Sequence, residues 1–156
     1  MPSKPETRIQ ELHLTLPTPP KPMAKYKPAV LVGKMLYLSG HGPAKLDDKS
    51  PIAGKVGKDL TVEQGMEAAR LTGLNILSTV RNTIGSLDKV KRLIKSLGMV
   101  NCPDAFTDQP KVINGFSELM AEVFGEEAGV GARSAVGMGS LPSNIPVEIE
   151  CIFEVE

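Results

Sequence analysis

Arg133 is the only Lys or Arg between Val112 and Glu156, a span that carries eight carboxylate side chains. It stands between Gly131-Ala132 and Ser134-Ala135, small residues that leave room around a guanidinium. A planar fork in that setting can grip a carboxylate through two parallel hydrogen bonds. The same side chain can instead make a structural ion pair with a glutamate of its own half, and at this level both readings stay open. Glu148 is the second candidate. It opens the pattern Val147-Glu148-Ile149-Glu150, just after Leu141-Pro142-Ser143-Asn144-Ile145-Pro146. A carboxylate there can take a proton from an attacking water, although glutamates on a sheet surface commonly do no more than face solvent. Glu148 and Glu150 share a strand face about 7 Å apart, and two carboxylates pointing the same way cannot flank a glycosidic bond.

The other reactive side chains offer less. His13 and His41 are the only histidines, and no carboxylate or cysteine spacing around them builds a metal site, so none is predicted. His41 does follow a strand end, where binding sites often form. Gly54-Lys55-Val56-Gly57-Lys58 lacks the Gly-Lys-Ser/Thr ending of a phosphate loop and reads as a turn. Cys102 and Cys151 are too isolated for a disulfide framework, and neither has a cation or histidine beside it to activate a thiolate. Both are predicted to be reduced thiols, with Cys151 facing the core.

The 156 residues are 41% hydrophobic and 23% charged, enough to bury a core without disulfide or metal staples. The net charge is zero, but residues 1–58 carry ten Lys or Arg against four acids, and residues 104–156 carry two against ten. A nucleic-acid surface would add aromatic stacking platforms to its basic stripe, whereas this chain has no Trp, two Tyr and four Phe. Solvated lysines explain the basic half, and a nucleic-acid partner is not expected. No apolar run approaches the roughly 20 residues of a membrane helix, and the first residues lack a charged-then-apolar secretory pattern, so a cytoplasmic protein is expected.

The elements that must position these residues follow from periodicity. Residues 1–25 form a proline-rich extension, with Ile9, Leu12, Leu14 and Leu16 alternating as an edge strand. Ala29–Val32 and Met35–Leu38 read as a hairpin turning at Gly33-Lys34. Residues 44–59 are a surface loop. Thr61-Val62-Glu63-Gln64 is a capping box opening a helix to about Asn82. Residues 90–100 alternate as a strand, with Leu93, Lys95, Leu97 and Met99 on one face. Pro110 and Gly125 bracket a second helix. Strands over residues 134–141 and 147–155 close the chain, the last with Val147, Ile149, Cys151, Phe153 and Val155 toward the core. The order describes one α+β domain over residues 1–156, a sheet covered on one side by two helices.

Taken together, Gly33 to Gly40, Glu63-Gln64, Asn75-Ile76-Leu77, Asn114, Ala132-Arg133-Ser134, Leu141-Pro142 and Val147-Glu148-Ile149-Glu150 resemble, in order, the signature of the RidA/YjgF family. The resemblance covers residues 26–156. It implies a chorismate-mutase-like fold with a mixed six-stranded sheet and two helices on one face, three copies forming a barrel, and a cleft at each subunit boundary. Active members hydrolyse reactive 2-imino or enamino acids without metal or cofactor. The resemblance assigns Arg133 to the substrate carboxylate and Glu148 to the attacking water, with Tyr26, Ser39, Gly40, His41 and Asn114 around the ligand. His41 stands where the family commonly has Gln, and Ala135 where it commonly has Cys. Other relatives imply a ribonuclease or translation inhibitor, or a trimer that binds small carboxylates without catalysis.

Overall fold

The computed structural model describes residues 3–156. Its central sheet has five strands rather than the six expected: β1 (Ala29–Val32), β2 (Met35–His41), β3 (Val90–Asn101), β4 (Ala132–Met138) and β5 (Val147–Val155). Their order is β1-β2-β5-β3-β4, antiparallel throughout except for the β3–β4 pair. Mixed pairing follows from connection length, since a helical crossover returns β4 beside β3 in the same direction. The sixth element expected, an edge strand over Ile9–Leu16, is not formed. Residues Pro5–Glu11 instead make a short helix, α1, with proline in its first turn, where a missing N–H costs nothing. The alternation of Leu12, Leu14 and Leu16 reflects an extended segment lying on the core.

Two longer helices cover one sheet face. The first, α2 (Val62–Ile84), starts with the capping box: the Thr61 hydroxyl accepts from the Gln64 N–H at 3.1 Å and the Gln64 amide oxygen accepts from the Thr61 N–H at 2.9 Å. Such a cap contributes about 1 kcal/mol. Gly85, at φ 89°, ends it in the left-handed conformation that a side chain would strain. The second, α3 (Gln109–Phe124), runs into a short turn of helix, α4 (Glu126–Gly129). At Gly115 of α3 a methyl group would overlap the Met66 carbonyl, so the two helices approach backbone to backbone. Phe116, Leu119, Ile113, Leu77, Ile76 and Phe153 fill the space between helices and sheet.

The last strand behaves as its alternation requires, with Val147, Ile149, Cys151, Phe153 and Val155 all buried. In β3 the face changes partway. A register shift between Leu93 and Lys95 turns Leu93 toward the core together with Ser96, Gly98 and Val100, leaving Lys95, Leu97 and Met99 on the uncovered side. Strict alternation assigned Leu93 to the other face because it cannot register a bulge. The uncovered face is apolar at Val30, Val32, Tyr37 and Val136, each more than a third exposed.

The N-terminal residues are bound to this body. Glu6 takes two hydrogen bonds from Arg81 and one from the Leu87 N–H, which outweigh the cost of burying it and hold its carboxyl below the usual range. Arg8 donates to the Glu122 carbonyl, and Ile9 is buried. No helix among the described residues is long and apolar enough to cross a membrane.

Candidate functional site

The two residues singled out first lie on opposite faces of the sheet. Arg133 pairs in register with Ser96 of β3, which faces the helices, while Glu148 pairs with Met99, which faces away from them. Each residue therefore has its own pocket.

On the helix side, Arg133 enters a cavity of about 250 Å³ lined by Leu93, Ser96, Asn114, Ser117 and Gly131. Its Nη1 donates to Asn114 Oδ1 at 2.9 Å and to the Ser117 hydroxyl at 3.1 Å, and its Nη2 donates to the Pro110 carbonyl at 3.3 Å. All three acceptors are neutral. Among the described residues no carboxylate lies within ion-pair distance of this guanidinium. Of its five N–H donors, Nε–H and one on Nη2 find no acceptor among the described residues. The ion-pair alternative is thus not realised, and an oriented, charge-uncompensated fork remains.

On the other side, Glu148 stands in a cleft of about 840 Å³ with Tyr26, Ser39, Gly40, His41 and Glu150. A break in the β2–β5 register between Leu38 and His41 lifts Ser39-Gly40 out of regular pairing. Gly40 lies so close to Glu148 that a methyl group there would overlap Oε1 and come within 2.9 Å of Cδ. Burial, helped by the neighbouring charge of Glu150, raises the Glu148 carboxyl above its ordinary value. It binds a proton more readily than a solvated glutamate, which suits a general base.

His41 belongs to the cleft wall, but both ring nitrogens are engaged with the protein. Nδ1 lies 2.6 Å from the Ser39 carbonyl and Nε2 lies 2.8 Å from the Thr79 hydroxyl of α2. A carbonyl only accepts, so Nδ1 carries the hydrogen and Nε2 accepts from Thr79. Burial lowers the His41 pKa, keeping the ring neutral. It braces the irregular part of β2 against α2. The Ser39 hydroxyl donates to the Lys27 carbonyl at 2.6 Å, tying the incoming chain to the same spot.

The chain thus assembles Tyr26, Ser39, Gly40, His41 and Glu148 in one place and Arg133 with Asn114 in another. Sequence reasoning missed Ser117, whose hydroxyl is the second acceptor of Arg133 Nη1 and whose position one turn beyond Asn114 on α3 was the available signal. It also missed Asn75, which donates to the Gly42 carbonyl at the cleft wall, and residues 20–24, which form a further wall. The cysteines are both free and buried, and burial pushes the Cys151 thiol far up. Among the described residues no group of three His, Cys, Asp or Glu side chains could hold a metal ion.

The architecture, a mixed sheet with helices on one face, is that of the chorismate-mutase-like α+β proteins. Residues 6–152 match the family model described as "YjgF/chorismate_mutase-like, putative endoribonuclease", and the chain belongs to this RidA/YjgF family. It is 40% identical to Protein TCP17 of Trypanosoma cruzi over 94% of this chain and 91% of that one. It is 27% identical to a 2-iminobutanoate/2-iminopropanoate deaminase of Dermatophagoides farinae over 92% of this chain and 95% of the relative. Among solved structures, protein Atu1372 of Agrobacterium tumefaciens superposes with a TM-score of 0.87 at 42% identity, covering 97% of this chain and 92% of its own.

Proposed function

We propose that the protein hydrolyses reactive 2-imino acids to 2-oxo acids and ammonia at a site shared between copies of a homotrimer. The observation that carries this reading is the Arg133 fork: a cation with neutral partners and two unused donors suits a carboxylate that none of the described residues supplies. Likeness to a relative named as a 2-iminobutanoate/2-iminopropanoate deaminase supports the choice of imine. Arg133 holds the substrate carboxylate. Glu148 takes a proton from water as the water oxygen attacks C2 and passes it to the imine nitrogen, giving a carbinolamine. The nitrogen takes up a second proton, the C2–N bond breaks to release ammonia, and the C2 hydroxyl loses its proton to become the 2-oxo group. No cofactor is required by this sequence of steps.

Arg133 and Glu148 lie on opposite sheet faces, which supports a site that takes the two from different chains. The uncovered apolar face, with Val32 at 61% exposure, supports packing against further copies. A second reading draws on the same geometry: a carboxylate-binding protein needs only the Arg133 pocket, with Glu148 as a bystander. An RNA-cleaving role finds less support, since the Glu148 cleft carries Glu150 and a single cation, Lys21, on its walls.

Subunit mixing tests the shared site. Arg133→Ala and Glu148→Gln should each lack imine hydrolysis in a coupled ammonia assay. Random reassembly of the two in equal amounts should restore about one quarter of wild-type turnover, the share of interfaces that pair an intact Arg133 with an intact Glu148. Absence of any recovery, with trimers formed as judged by light scattering, would overturn the shared site. Wild-type protein that binds a 2-oxo acid but releases no ammonia from any imine would leave the binding reading.

A further inference from the structure

Residues 18–26 cross the mouth of the Glu148 cleft as a strap pinned at both ends. At one end the Ser78 hydroxyl of α2 donates to the Pro17 carbonyl at 2.5 Å. At the other, Ser39 of β2 is bound twice, its hydroxyl to the Lys27 carbonyl and its N–H to the Pro28 carbonyl. Between these anchors Pro19, Pro20 and Pro22 fix their own backbone torsions, and the chain bends over residues 23–26, where the Tyr26 N–H donates to the Ala24 carbonyl. Pro20, Pro22, Met23 and Ala24 line the same cleft as Glu148.

We infer that this strap is the subsite for the ligand's side chain, and that it selects 2-imino acids whose side chain is a straight apolar chain longer than an ethyl group. The inference rests on the proposed imine chemistry and adds a substrate class to it. Three observations carry it. The wall is anchored at both ends, at Pro17 and at Lys27-Pro28. Four of the five residues 20–24 that line the cleft are apolar, and Met23, 94% exposed, is the most exposed large apolar side chain among the described residues. The cleft, about 840 Å³, lies in the range that suits ligands much larger than the shortest imino acids. Methionine, unbranched and adaptable, can follow the course of a flexible aliphatic chain. Since strap and Glu148 belong to one chain, the strap flanks the water-attack side whichever copy contributes Arg133.

The test is calorimetric titration of the full-length protein with straight-chain 2-oxo acids of increasing length. Affinity should rise roughly fourfold for each added methylene as apolar surface is covered. In Met23→Ser that increment should shrink, in Pro22→Gly with Met23→Ser it should vanish, and in Met23→Leu it should persist. The exposure of Met23 makes misfolding of the single variant no concern. A flat length series in wild type, an unchanged slope in the double variant, or tightest binding of a dicarboxylic 2-oxo acid through Lys21 would each overturn the inference. Ammonia release measured in parallel separates the two proposals. Length-dependent binding without turnover retains the subsite and sinks the hydrolase. Turnover without length dependence does the reverse, and failure to bind any 2-oxo acid sinks both.

Discussion

Gly40 and Glu148 are in contact in a way that only glycine permits, because a Cβ at residue 40 would occupy the space of the Glu148 carboxylate. The obstacle is the far end of a flexible side chain, so Gly40→Ala should fold and displace Glu148 rather than disrupt the sheet. Displacement of a general base by about 1 Å can cost about 10²-fold. Turnover should therefore fall by that order while 2-oxo acid affinity changes by less than about threefold, as read by steady-state kinetics beside calorimetry. Equal losses in both would show that residue 40 acts on binding.

Asn114 supplies a neutral acceptor to Arg133 at 2.9 Å. Asn114→Asp keeps the shape and adds the counter-charge that the native pocket withholds. The arginine then has an internal carboxylate, and 2-oxo acid affinity should drop at least about tenfold although the guanidinium is intact. Titration of wild type and variant at one ionic strength measures it, and unchanged affinity would remove the charge argument for this pocket.

The raised proton affinity of Glu148 sets the acid side of the pH profile. A base acts only when ionised, so kcat/KM should fall as pH drops through a value above the ordinary glutamate pKa of 4.5. Burial is the larger cause and Glu150 the second, so Glu150→Gln should move that limb downward without abolishing it. A limb that stays in place would mean that Glu150 does not act on Glu148.

His41 makes stability depend on pH in a defined window. Burial lowers its pKa below 6.5, so the unfolded chain takes up a proton before the folded one does. Its contribution is complete above about pH 6.5 and is lost as pH falls from there toward the depressed native value. Urea unfolding across pH 8 to 5 should show that decline in wild type and a shallower one in His41→Gln, which retains a donor for the Ser39 carbonyl. Glu6 titrates lower, since its native pKa lies below 4.5 and its contribution disappears only as pH falls through that value.

Much of the framework was legible in residue order because it rests on local rules. The capping box at Thr61–Gln64 fixes where α2 begins, Gly125 fixes where α3 stops, and the alternation of Val147 to Val155 fixes which side of β5 is core. Arg133, Glu148 and their family pattern were visible for the same reason: a lone cation among acids and a Val-Glu-Ile-Glu run are properties of composition and spacing. What only tertiary structure decided depends on partners distant in the chain. The bulge in β3 set the face of Leu93 through its pairing with β5, and no periodicity within β3 contains that information. The first residues became a helix and a strap because Arg81, Leu87 and Ser78 wait for them far along the chain, which overrode the alternation of Ile9 to Leu16. The separation of Arg133 from Glu148 onto opposite faces also came from sheet order, since side chains fifteen residues apart carry no mutual orientation until β3 has been placed between β4 and β5.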